Sequence, residues 1–93
     1  MRYILQITPI ALADLQKGKD YYNGQQKGLG NRFASVINDT LTRIKKMPLS
    51  ASIAYDDVRY KVVDKFPYVV LYMIEGNLII ITRFFNTYQQ PMY

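Results

Sequence analysis

The chain has 93 residues and contains neither histidine nor cysteine. It therefore has no thiol nucleophile, no disulfide and almost no means of holding a structural or catalytic zinc ion. It also lacks the usual proton carrier at neutral pH. Any catalysis would have to run on Lys, Arg, Tyr, Asp or Glu, and no metal or cofactor is implied. The twelve Lys and Arg outnumber the seven Asp and Glu, for a net charge of +5. The excess is one-sided. Eight cations face three aspartates in residues 1–50, whereas four face four acids in residues 51–93. A basic half suits an acidic protein partner or nucleic acid, or is simply a solvated helix face with surplus lysines. Arg59 and Lys61 stand two apart in an alternating run, so they share one face of a strand.

The length fits one domain over residues 1–93, burying roughly 60–65% of its unfolded surface in one modest core. No apolar run reaches the length of a spanning helix, and the apolar part of Met1–Pro9 is too short for a secretory leader. With no cysteine, a reducing cytoplasm is the expected compartment.

Periodicity supplies the elements that would position these side chains. Arg2 to Ile7 alternates, with Tyr3, Leu5 and Ile7 on one face, which predicts a short strand. Thr8-Pro9 is an N-cap followed by proline at the first helical position, so a helix is expected from Pro9 to about Gln25. Ala11, Leu12, Leu15, the Lys19 stem and Tyr22 form its apolar side, and Gly18 weakens its middle. Leu29, Phe33, Val36, Ile37, Leu41, Ile44 and Met47 recur at spacings of three and four. That predicts a one-faced helix with basic last turns, stopped by Pro48. Leu49 to Asp57 reads as loop. Val58–Asp64, Phe66–Ile74 and Leu78–Phe85 read as strands, the last two joined at the Gly76-Asn77 turn. Asn86 to Tyr93 reads as a tail. The expected fold is α+β in two layers, ordered β-α-α-β-β-β, with a helix hairpin packed on a mostly antiparallel sheet.

Several short motifs fall along this frame: Ala13-Asp14-Leu15 and Tyr21-Tyr22, Leu29-Gly30-Asn31-Arg32-Phe33, Ile44-Lys45-Lys46-Met47-Pro48, Tyr55-Asp56-Asp57-Val58-Arg59, and Phe66-Pro67-Tyr68-Val69-Val70-Leu71-Tyr72. In this order and spacing, the chain resembles the RelE/ParE toxins of bacterial type II toxin–antitoxin modules, and within them the ParE-like branch. The motifs speak first for folding: Leu29 to Phe33 begins a helix and anchors it, and Phe66 and Tyr68 pack sheet against helices.

The ParE-like resemblance implies a toxin that inhibits growth by binding DNA gyrase, in a growth-control or plasmid-stabilisation pair. Arg43, Lys45, Lys46, Tyr88 and Tyr93 are the expected target-binding residues. The RelE-like alternative implies ribosome-dependent messenger RNA cleavage without metal, with Arg59, Lys61, Arg83 and Tyr88 as the matching catalytic candidates. For Arg59 and Lys61 the plain alternative is a solvated strand face, and for Arg83 a pair with an acidic residue. The net-neutral sheet half argues against a strong nuclease. Where the ParE-like pattern has histidine and then arginines, this chain has Asn86, Tyr88 and Gln89, which fits a third reading, an interaction protein without remaining toxicity. Every toxin reading implies a cognate antitoxin, and none calls for a membrane or for sequence-specific DNA contact. Because the helices can cover only one sheet face, Tyr68, Tyr72, Ile79, Ile81 and Phe85 are the expected antitoxin contacts; self-association, or the tail folding back, would cover the same face.

Overall fold

The computed structural model describes residues 2–88. Strand β1 spans Ile4–Ile7, helix α1 Pro9–Gln25 and helix α2 Leu29–Lys46. A 3-10 turn at Pro48–Ser50 leads to β2 (Ser52–Tyr55), β3 (Val58–Val62), β4 (Tyr68–Glu75) and β5 (Leu78–Asn86). The strands form one sheet in the order β1-β5-β4-β3-β2. β1 runs parallel to β5 and every other pair is antiparallel. The helix hairpin carries the chain from β1 across one face of the sheet, giving the expected two-layer α+β fold.

Thr8 joins three elements. Its hydroxyl oxygen accepts from the Ala11 N–H at 3.2 Å, capping α1, and its hydroxyl donates to the Thr82 carbonyl at 3.2 Å. α2 begins at Gly28, whose φ of 85° is the left-handed region that glycine enters freely. Its apolar stripe buries Phe33, Ile37 and Ile44 completely, with Thr40 among them. Thr40 is satisfied by donating its hydroxyl to the Val36 carbonyl at 3.0 Å. α1 is a weaker amphipath, burying only Ala11 and Gly18 fully. Leu12, expected on its apolar side, is exposed, and so is Met47 at the end of α2.

The core lies between the helices and the sheet face bearing Tyr68, Val70, Tyr72, Ile79, Ile81 and Phe84. At one end, Tyr22, Phe33, Phe66 and Tyr68 form a ring cluster with centroids 4.8–6.4 Å apart.

One element departs from expectation. Ser52 to Tyr55, read as loop, is an edge strand that hairpins onto β3 through Asp56 and Asp57. Asp56 takes φ 45°, a conformation aspartate tolerates better than most residues. A four-residue, mainly exposed strand with no glycine in its turn leaves little periodicity to read.

Candidate functional site

β1 pairs with β5 only as far as Ile81, so the outer edge of β5 runs on beside α1. There Asp14 takes the place of a neighbouring strand. Its Oδ2 accepts from the Phe84 N–H at 3.1 Å and from Arg83 Nε at 2.7 Å, while Oδ1 accepts from Arg83 Nη2 at 3.0 Å. The two-pronged contact keeps the Arg83 guanidinium firmly charged, raising its pKa above the ordinary arginine value against the opposing effect of partial burial. Beside this pair an open cleft of about 540 Å³ is lined by Lys17, Tyr21, Tyr22, Tyr68, Asn86 and Tyr88, among others. Burial raises the phenol pKa of Tyr22, with nearby tyrosines adding to the shift. Burial does the same for Tyr68, where a hydrogen bond with Asn86 works the other way. Both phenols are therefore weaker acids than free tyrosine.

Of the four catalytic candidates, Arg83 and Tyr88 share this cleft. Arg59 and Lys61 do not line it. They stand opposite Tyr72 and Val70 of β4, on the helix side of the sheet, whereas Arg83 stands opposite Leu71, on the other side. Arg59 is committed to the backbone, with Nη1 donating to the Ala51 carbonyl at 2.7 Å and to the Leu49 carbonyl at 3.3 Å. Among the described residues no group of His, Cys, Asp and Glu could hold a metal ion. No described helix is long and apolar enough to cross a membrane.

The surface expected to receive an antitoxin needs correction. Tyr72, Ile79 and Ile81 have no exposed surface and Tyr68 has almost none, because all four point into the core beneath the helices. The two faces of β4 alternate as expected, but the side attributed to the partner is the side the helices cover. Only Phe85 lies on the opposite face, and it too is buried, in a small second cluster with Val58, Val69 and Leu71. The β2–β3 hairpin supplies part of that cluster through Val58, Ala54 and Tyr60. The second face is therefore closed at its centre by the chain itself. What it leaves in contact with solvent is a border of half-buried Tyr60, Met73, Leu78 and Ile80 with exposed Ile4 and Val62.

The residues expected to meet the target fall at two ends of the molecule. Arg43, Lys45 and Lys46 are exposed in the last turns of α2. Tyr88 is 87% exposed at the mouth of the cleft, beside the ring cluster that Phe33 joins at the start of α2. From Phe33 to Lys46 the helix rises about 20 Å. Tyr93 and Gln89 lie outside the described residues. Sequence reasoning gave no site role to Asp14, Tyr21, Met47 or Leu49. A lone aspartate facing no stripe, and two apolar residues flanking a helix-stopping proline beside lysines, were the available signals.

A family model described as the ParE toxin of type II toxin–antitoxin system, parDE, matches residues 5–91. A solved chain of the chromosomal ParDE TA system from P. aeruginosa superposes with a TM-score of 0.82 at 18% sequence identity. The match covers 91% of this chain and 96% of that one, and it shows a shared fold. No curated protein matches the sequence.

Proposed function

This chain belongs to the ParE toxin family of type II toxin–antitoxin systems, and from that premise we propose that it stops bacterial growth by binding DNA gyrase, without catalysis, until a cognate antitoxin covers it. The pair would serve growth control or plasmid stabilisation from the cytoplasm. One observation carries the non-catalytic reading: the cations an RNA-cleaving centre would need are divided between two faces of the sheet. Arg59 holds backbone carbonyls on one side, and Arg83 grips Asp14 round the edge of the other. Phosphoryl transfer by a 2′-hydroxyl requires a base, cations on the phosphate and a proton donor around one point. Arg83 and Tyr88 meet in the cleft, but neither Arg59 nor Lys61 joins them.

The sheet face away from the helices is the better candidate for the antitoxin. Its border of Ile4, Tyr60, Val62, Met73 and Ile80 keeps apolar side chains in contact with water, and Phe85 lies under its centre. Such a border is what a partner segment covers.

Induction in bacteria without the antitoxin tests the reading. Filamentation and a DNA-damage response with bulk messenger RNA intact are expected, undiminished in Lys61→Ala. Messenger cleavage on ribosomes that is lost in Lys61→Ala or Arg83→Ala would establish the ribonuclease instead. Unaltered growth with folded protein would leave an interaction protein without toxicity.

A further inference from the structure

We propose that the turn closing α2 is a docking knuckle for an acidic, apolar-bearing segment of a partner protein. Met47 and Leu49 stand 66% and 64% exposed on either side of Pro48, which is buried. The backbone that carries them is tied down. The Met47 carbonyl accepts from Ser50 N at 3.1 Å and from Ser50 Oγ at 2.8 Å. The Pro48 carbonyl accepts from the fully buried Tyr72 hydroxyl at 2.7 Å. Arg59 Nη1 reaches the Leu49 and Ala51 carbonyls. A core tyrosine and a strand arginine thus hold two apolar side chains out in water, which is the preorganised form of a binding anchor.

The chemistry of the occupant follows from what the knuckle offers. The carbonyls of Met47, Pro48, Leu49 and Ala51 already have donors, so the turn presents few backbone acceptors. Around it stand the exposed Arg43, Lys45 and Lys46, and residues 40–55 contain no Asp or Glu. The surface therefore offers cations and two apolar anchors. Its complement is a segment rich in carboxylates that carries its own apolar side chains. Nucleic acid fits less well. Met47 and Leu49 provide no stacking surface for bases, Tyr3 beside them is half-buried against the core, and the exposed Tyr21 and Tyr88 belong to the far end of α2. The inference stands apart from the toxin reading, since it needs neither gyrase nor antitoxin.

The test uses the whole chain and three probes. They are a short labelled peptide alternating Asp and Glu with Leu and Phe, the same peptide with Ser for its apolar residues, and a short DNA duplex. The first peptide should bind and shift backbone amide resonances within residues 43–51. Binding should weaken by about tenfold or more with the Ser peptide, in Met47→Ser/Leu49→Ser, and in Lys45→Glu/Lys46→Glu. All four substituted side chains are exposed, so both variants should keep the wild-type fold and its amide spectrum elsewhere. No binding of the first peptide, full binding by Met47→Ser/Leu49→Ser, resonance shifts centred on the α1–β5 cleft, or tighter binding of DNA than of peptide would each overturn the proposal.

Discussion

Two side chains, Asp14 and Tyr72, tie together parts of the fold that lie far apart in the chain. Asp14 satisfies a strand N–H and the Arg83 guanidinium at once, so its removal should weaken the fold more than removal of its partner. Asp14→Ala removes the side-chain acceptor of the Phe84 N–H and the two-pronged contact to the partly buried Arg83, at about 1–2 kcal/mol after allowing for the pair's partial exposure. Arg83→Ala leaves Asp14 bonded to Phe84 and should cost less. Urea midpoints of the two variants give the ranking, and a larger loss for Arg83→Ala would reverse this account. Tyr72 is the second. Burial raises its phenol pKa, with the positive charge of Arg59 acting in the opposite sense. A raised tyrosine pKa favours the neutral form in the folded state. Its stabilisation is complete below the unfolded value near 10 and is lost as the pH climbs through the folded value. Stability should therefore be flat across neutral pH and fall above about pH 10. Tyr72→Phe should lose about 1–2 kcal/mol at pH 7, because the buried Pro48 carbonyl loses its donor, and should then show a shallower alkaline decline. An equally steep decline in the variant would assign the pH dependence to other groups, Tyr22 and Tyr68 first. Neither role was legible in the sequence. The alternation of β4 showed which residues share a face with Tyr72, but the bond to Pro48 spans 24 positions, and Asp14 reaches a strand 69 residues away.

At the scale of elements, the helix hairpin separates local propensity from packing. Gly18 reads in the sequence as a weak point of α1. In the fold it is a contact point, since a β-carbon there would lie 2.8 Å from a Phe33 ring carbon and 2.9 Å from the Tyr68 hydroxyl. Gly30 is tighter still, because its added carbon would run into the Lys19 carbonyl and the Asn23 side chain. Asn23 already accepts from the Gly30 N–H at 2.7 Å, joining the two helices. Gly24, in the last turns of α1, has nothing within 4 Å. Gly24→Ala should therefore stabilise by about 0.5–1 kcal/mol through helix propensity. Gly30→Ala should destabilise by about 1–3 kcal/mol through overpacking, despite the same propensity gain. Thermal midpoints would show opposite signs, and a stabilised Gly30→Ala would mean that the helices approach each other less closely. The long amphipathic pattern of α2, the Thr8-Pro9 start of α1 and the Gly76-Asn77 hairpin were all legible, because each rests on contacts local in sequence. β2 was not, because an exposed four-residue edge strand is defined by its partner rather than by its own pattern.

At the scale of the whole molecule, the two sheet faces differ less than the sequence suggested. The helices close one, and at the centre of the other Val58, Val69, Leu71 and Phe85 bury one another, leaving an apolar border among the described residues for a partner. The order of elements and the alternation within strands were readable one residue at a time. Which face the hairpin would cover was not, because that choice depends on the β1-α1-α2 crossover and on the twist of the finished sheet. Arg43, Lys45 and Lys46 gather around the close of α2, while Arg83 and Tyr88 meet at the other end. A surface divided in this way suits the proposed grip on other proteins. The direct measurement is to add the purified chain to DNA gyrase and relaxed plasmid, and in parallel to programmed ribosomes. Suppressed supercoiling and accumulation of gyrase-cleaved plasmid are expected, with the messenger RNA left whole; unimpaired gyrase beside a cut messenger would contradict the gyrase-binding role.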